Sequence, residues 1–72
     1  MKLSASKRLQ AIADKLQNKG YVKALDLSEL YEVSMETIRK DLTYLEEKGI
    51  AKKEYGGASL SLLGVEKSWN LE

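Results

Sequence analysis

Hydrophobic residues recur at helical spacing in three separate segments of the chain. In the first segment, residues 6–18, they form one stripe with spacings of three, four and seven positions: Leu9, Ile12, Ala13 and Leu16. Ser6 is its predicted N-cap, and Gly20 supplies the left-handed residue that closes many helices. This pattern predicts an amphipathic helix that ends shortly before Gly20.

A short extended segment and a second helix are predicted next. Residues 21–24 are too few for a helix and are rich in strand-forming residues. Leu27, Leu30 and Tyr31 then recur at helical spacing, which predicts a helix over residues 25–32 that ends near Val33.

The third periodic segment predicts a helix over residues 35–48. Ile38, Leu42 and Leu45 form its apolar stripe, and Gly49 is the expected stop. Ser34 is the natural N-cap, with its hydroxyl accepting from a backbone N–H near the start of the helix. Only two or three residues separate this helix from the second one. A link this short forces a large angle between the two helices, as in the helix-turn-helix of DNA-binding proteins, although short helical links also occur in proteins of other functions.

After Gly49 the pattern changes from helical to extended. Residues 50–55 and 58–63 flank Gly56-Gly57, two glycines that can both adopt the positive φ of a tight hairpin turn. The predicted fold class is therefore mainly α with a small β-hairpin, a winged helix-turn-helix of three helices plus a wing. We expect one domain over residues 1–63, with the wing at about 50–63, followed by a tail or the start of a linker at 64–72.

The outward side of the third helix carries residue types that read the grooves of DNA. With Ile38 pointing inward at about 100° per residue, the outward and flanking side chains are Glu36, Arg39, Lys40, Thr43 and Tyr44. An arginine can bind guanine through two hydrogen bonds, a threonine can contact a base edge, and lysine and tyrosine suit phosphate oxygens. Ser34 and Thr37, at the start of the helix, complete this set of candidate DNA-binding residues.

Each of these positions also has a purely structural interpretation. Arg39 could pair with a nearby carboxylate, Tyr44 could pack on the hairpin, and Thr37 could simply accompany the cap. Glu36 is repelled by phosphates and could instead pair with Arg39 or Lys40. Asp41 lies nearer the buried side, and we expect it to accept a hydrogen bond from a basic side chain or a backbone donor.

The hairpin and the first helix offer further candidate contacts. Lys53, Tyr55, Gly56 and Gly57 could follow a phosphate strand, although the hairpin could equally serve only to cover the open side of the helices. Near the start of the chain, Lys7 and Arg8 suit phosphate contacts, or they are ordinary solubilising charges.

Composition narrows the function classes. The net charge is only +1, but residues 1–19 carry five basic and one acidic side chain, whereas residues 20–34 carry one basic and three acidic ones, so we expect a basic side. Cysteine and histidine are both missing, which removes disulfides, the usual zinc ligands and the commonest general base. We therefore expect no enzyme activity, no metal and no cofactor.

No apolar run is long enough for a membrane span or a signal peptide, which predicts a cytoplasmic protein with no membrane partner. The final Leu71-Glu72 is typical of a cloning remnant before a purification tag, and we expect it to lie outside the fold.

Five motifs in order resemble the winged-helix domain of DeoR-type bacterial transcription regulators over about residues 5–60. They are Gly20-Tyr21-Val22, Leu27-Ser28-Glu29-Leu30, Val33-Ser34-Met35-Glu36-Thr37-Ile38-Arg39-Lys40-Asp41-Leu42, Leu45-Glu46-Glu47-Lys48-Gly49-Ile50 and Tyr55-Gly56-Gly57-Ala58. The resemblance implies that the helix-turn-helix lies at about 22–41, that the third helix is the recognition helix, and that Arg39 and Lys40 are its basic pair. The family more often has arginine where Lys40 and Lys53 stand here, and histidine where Tyr55 stands.

The resemblance also implies partners. In such regulators this head binds a double-stranded DNA operator, usually for repression, and precedes a larger domain that senses a sugar phosphate and makes dimers or higher oligomers. That larger domain is missing from these 72 residues, so we expect an excised head or a stand-alone small regulator. The alternative function is a winged-helix protein interaction module, with Tyr44 and Tyr55 as anchors. Steeply salt-dependent binding to duplex DNA would distinguish the DNA reader from the interaction module.

Overall fold

A computed structural model describes residues 2–61 of the chain. The elements are, in order, α1 (Ala5–Lys19), β1 (Tyr21–Lys23), α2 (Ala24–Tyr31), α3 (Met35–Glu47), β2 (Ala51–Glu54) and β3 (Gly57–Leu60). The prediction of three helices followed by a β-hairpin, a winged helix-turn-helix, is confirmed. The predicted end of the second hairpin strand at Leu62 and Leu63, the tail 64–72 and the Leu71-Glu72 remnant lie outside the described residues.

The ends of α1 follow its local sequence. Gly20 closes the helix with φ 81°, and its N–H donates to the carbonyl of Leu16, as expected for a left-handed C-cap. The predicted N-cap at Ser6 is wrong, because the helix begins two residues earlier. Ser4 has the extended backbone of an N-cap, and its hydroxyl accepts from the N–H of Lys7 at 3.4 Å.

The turn between α2 and α3 is closed by hydrogen bonds to Ser28 of α2. Glu32 ends α2 in the left-handed conformation, with φ 57°. Beyond it, the N–H of Val33 donates to the carbonyl of Ser28 at 3.1 Å, and the Ser28 hydroxyl donates to the carbonyl of Val33 at 2.7 Å. Within α2 the predicted apolar stripe is only partly right, since Leu27 is buried but Leu30 is 40% exposed.

The start of α3 matches the sequence prediction. The Ser34 hydroxyl accepts from the N–H of Thr37 at 3.1 Å, so Ser34 is the N-cap. The helix ends at Glu47, one residue before the predicted end, and Gly49 follows with φ 80°. The N–H of Ile50 then returns to the carbonyl of Leu45 at 3.0 Å, which fixes the direction in which the chain enters the hairpin.

The hairpin is part of a three-stranded antiparallel sheet with the order β1-β3-β2. Its turn is Tyr55-Gly56, because Glu54 and Gly57 are already paired across the strands. The expectation that Gly56 and Gly57 both have positive φ is therefore wrong. Gly56 has φ 77°, whereas Gly57 is the first residue of β3. The extended segment predicted at residues 21–24 is strand β1, which pairs with β3.

One hydrophobic core joins the helices to the sheet. Its largest fully buried side chains come from all three helices and from the residue that precedes β2: Tyr31, Ile12, Leu16, Ile38, Leu42, Leu45 and Ile50. The predicted apolar stripes of α1 and α3 thus both reach this core, although Leu9 of α1 is only partly buried against it. Burial of α3 through one stripe leaves its opposite side facing outward.

Candidate nucleic-acid interface

The outward side of α3 is open to solvent. Glu36, Arg39, Lys40 and Tyr44 are exposed, whereas Ile38 on the opposite side is fully buried. Within residues 2–61, no hydrogen bond or ion pair engages the side chain of Arg39 or of Lys40. The structural alternatives in which these cations pair with Glu36 or another carboxylate are therefore not realised in this part of the chain.

The hydroxyls at the start of α3 are used locally. Beyond its cap bond, the Ser34 hydroxyl lies 3.0 Å from the hydroxyl of Thr37, and either atom can donate. Thr37 is half-buried, so the structural interpretation of this residue as a companion of the cap is realised. The two side chains chiefly define where α3 begins, and thereby where Arg39 points.

A concave cleft of about 180 Å³ lies between α3 and the wing. Arg39 lines it from the helix, and Lys53 and Gly56 line it from the hairpin. Candidate residues that lie far apart in sequence are thus brought to one surface of the molecule. Because Arg39 lines the cleft and is itself exposed, the cleft adjoins the exposed side of α3.

The tip of the wing projects fully into solvent. Tyr55 is fully exposed, and the carbonyl of Gly56 accepts from the N–H of Ala24 at 2.9 Å. Gly57 was predicted as a contact residue, but it is buried. A Cβ at this position would overlap the backbone carbonyl of Val22, so Gly57 is explained by close backbone packing.

Arg8 does not lie in the exposed set, contrary to its prediction as a phosphate contact. It is 8% exposed, and its guanidinium binds Asp41 through both Nε and Nη2, the latter 3.2 Å from Oδ1. The hydrogen bond to Asp41 raises the pKa of Arg8 above its already high ordinary value. The expectation that Asp41 accepts from a basic side chain is confirmed, and the pair fastens the first turn of α1 to the middle of α3.

The remaining candidate cations, Lys7 and Lys53, have different surroundings. Lys7 is exposed on α1, next to the residue that binds α3. The ammonium of Lys53 donates to the hydroxyl of Thr43 at 3.0 Å. Tyr44 is exposed, and the centroid of its ring lies 5.3 Å from the ammonium of Lys48.

Residues 8–61 match the family described as the DeoR-like helix-turn-helix domain. The chain belongs to this family. The match includes α2, the turn, α3 and the wing, so the chain is a DNA-binding domain of the kind found in transcription regulators.

Curated relatives of the DeoR-like domain bear regulatory names. The chain is 51% identical over 53 residues to an aga operon transcriptional repressor of Escherichia coli O157:H7, which covers 74% of this chain and 20% of that protein. It is 32% identical over 68 residues to the glycerol-3-phosphate regulon repressor of Escherichia coli K12, covering 94% of the chain and 27% of the relative. It is also similar to transcription factor FapR of Staphylococcus aureus, at 38% identity over 74% of the chain and 29% of the relative. The chain thus spans less than a third of the length of these proteins.

Two polar residues of the DeoR-like domain escaped the sequence reasoning. Ser28 closes the turn, and Glu46 accepts a hydrogen bond from the backbone of the wing. The hydroxyl of Ser28 bonds a backbone carbonyl five residues away, and serines near a helix end commonly make such local bonds. The partner of Glu46 is seven residues away in a different element, so no local signal reveals it. Among residues 2–61, no helix is long and apolar enough to cross a membrane, and no group of potential metal ligands is found.

Proposed function

We propose that this DeoR-like domain reads an operator by placing α3 in the major groove of double-stranded DNA. The observation that carries the proposal is the exposed side of α3, where Arg39 and Lys40 have no partner within residues 2–61. The unpaired guanidinium of Arg39 can donate two parallel hydrogen bonds. It therefore favours a partner that offers two acceptors at one edge, as guanine does with O6 and N7.

The helix and the wing have different tasks in this proposal. Arg39 reads a base. The hydroxyls of Thr37 and Thr43 are engaged by Ser34 and Lys53, so these two residues contact a thymine methyl group through their own methyl groups, from the half-buried flanks of α3. Lys40 and Tyr44 contact phosphates and fix the position of the helix. Glu36, the acidic residue of the first turn, tolerates only a cytosine amino group among base edges, so it selects against other bases at its position.

Phosphate contacts from the wing and from α1 surround the helix. Tyr55 and the backbone of Gly56 reach the sugar-phosphate strand from the tip of the hairpin. One donor of the Lys53 ammonium is used by Thr43, and the others remain for a phosphate oxygen. Lys7 binds a phosphate beside the first turn of α1. Arg8 and Gly57 are excluded from the contact set because both are buried.

The whole protein is proposed to act as a repressor. A further domain that binds a sugar phosphate would link two or more copies of this head, so that two half-sites are engaged together. Once the first of two linked copies is bound, the second binds intramolecularly at a high effective concentration. The isolated head lacks this gain, so it is expected to bind one half-site weakly. The domain itself is proposed to carry no enzyme activity.

Substitution of Arg39 by alanine tests the role of α3. The preferred duplex is first selected from random sequences with the parent chain. We expect Arg39→Ala to weaken binding to that duplex by about 1–3 kcal/mol and to relax the preference at one base pair, because the two hydrogen bonds to the base are lost. Fluorescence anisotropy with the preferred duplex and its single-base variants measures both effects.

Lys19→Ala is the matched control, since it removes the same charge from an exposed residue. Lys19 lies at the far end of α1, about 16 Å along the helix axis from Arg8. Lys53→Ala is expected to weaken all duplexes alike, because it removes a phosphate contact. If Arg39→Ala and Lys19→Ala bind every duplex equally well, α3 does not read the base sequence.

A further inference from the structure

The outer edge of the wing is bonded to the recognition helix. In the sheet order β1-β3-β2, strand β2 has a neighbour on one side only, so its other edge presents unpaired backbone groups. On that edge the N–H of Lys53 donates to Oε2 of Glu46 at 3.1 Å. A side chain of α3 thus takes the place of a missing neighbouring strand.

A second bond reinforces this attachment. The ammonium of Lys53 donates to the hydroxyl of Thr43 at 3.0 Å. Thr43 and Glu46 are three residues apart and therefore lie on the same side of α3, one turn from each other. One residue of the wing is consequently fixed to the helix at two points, through its backbone and through its side chain.

Glu46 has no role in the core that would explain this arrangement. The residue is exposed, and it lies in the last turn of α3, where a negative charge interacts unfavourably with the helix dipole. Its charge is also of the same sign as that of the DNA phosphates. A carboxylate at this site is therefore explained by the bond that it accepts.

We infer that Glu46 is a positioning residue for DNA binding, which holds the wing against α3 so that the wing and Arg39 engage one duplex together. The inference rests on the proposed function. The negative charge of Glu46 then lowers DNA affinity, whereas its hydrogen bond to the wing raises it. Two substitutions that both remove the charge can therefore separate the two effects.

The test compares Glu46→Gln with Glu46→Met in the full 72-residue chain. Both side chains are neutral, similar in length and similar in helix propensity, but only glutamine retains an oxygen that accepts from the N–H of Lys53. We expect Glu46→Gln to bind the preferred duplex at least as tightly as the parent, and Glu46→Met to bind about fivefold more weakly than Glu46→Gln. Amide hydrogen exchange at Lys53 should be faster in the methionine variant than in the glutamine variant.

Glu47 supplies the matched control. It is the next residue of α3, it is exposed, and its side chain makes no hydrogen bond or ion pair within residues 2–61. Glu47→Gln and Glu47→Met should therefore bind DNA equally well. Equal binding by the two Glu46 variants, with the parent still binding, overturns the inference alone, whereas a parent chain that binds no duplex overturns the proposed function as well.

Discussion

Replacing Arg8 with alanine is expected to lower the free energy of unfolding by about 3–5 kcal/mol, because the substitution leaves the carboxylate of Asp41 buried without a partner. Both side chains are about nine-tenths buried, so water replaces the lost bonds only in part. A domain of this size is stable by only about 5 kcal/mol, and the variant should be largely unfolded near physiological temperature. Urea denaturation followed by circular dichroism measures the change.

A double substitution separates the cost of an unpaired charge from the value of the pair. Arg8→Met combined with Asp41→Leu removes both charges and fills the site with apolar groups, so it should cost much less than the sum of the single substitutions. Lys7→Ala, one position away on the exposed side, should cost less than about 0.5 kcal/mol. Single substitutions at Arg8 and Asp41 that each cost less than about 1 kcal/mol would show that the pair does not hold α1 to α3.

Gly57→Ala is expected to destabilise the fold by about 3 kcal/mol, because the added methyl group would meet backbone on two sides. Its Cβ would overlap the carbonyl of Val22 and would lie 3.1 Å from Cα of Lys23 and 3.0 Å from the hydroxyl oxygen of Tyr21. Since the obstructing atoms belong mainly to the neighbouring strand β1, relief requires that β1 and β3 separate. Thermal and urea unfolding measure the loss.

The neighbouring turn residue provides the control for this prediction. Gly56 has φ 77°, but a Cβ at this position would meet nothing within 4 Å. Gly56→Asn should therefore cost less than about 1 kcal/mol, since asparagine tolerates the left-handed conformation. If Gly57→Ala proves as stable as Gly56→Asn, the close approach of β3 to β1 is not a constraint on the fold.

Local signals were sufficient to predict the helices and to place most of their ends to within one residue. The stripe of Ile38, Leu42 and Leu45 identified the buried side of α3, and Ser34 identified its first turn, because both signals depend only on residues within the helix. Gly20 likewise marked the end of α1. Since the buried side of α3 was correct, the exposure of Arg39 followed from helical geometry alone.

The errors concern contacts between residues that are distant in sequence. Arg8 carries the positive charge expected of a phosphate contact. Only its hydrogen bond to Asp41, 33 residues away, reveals that it is buried. Gly57 resembles a turn glycine in the sequence, and only its pairing with Lys23 of β1 reveals that backbone packs against it. The bond from Lys53 to Glu46 likewise depends on the position of the wing, which the hydrophobic pattern does not fix. An acidic residue near the buried side of a helix, such as Asp41, was the one local hint that a cation must approach.

Salt dependence of duplex binding tests the central claim that α3 and the wing engage DNA. Three cations, Lys7, Lys40 and Lys53, are proposed to neutralise phosphates, so log affinity should fall with log salt concentration at a slope of about −2.7. Raising salt from about 50 to about 200 mM should thus weaken binding to the preferred duplex about 40-fold. Duplex affinity that changes less than about twofold over this range, or no binding at the lower salt concentration, would contradict the account.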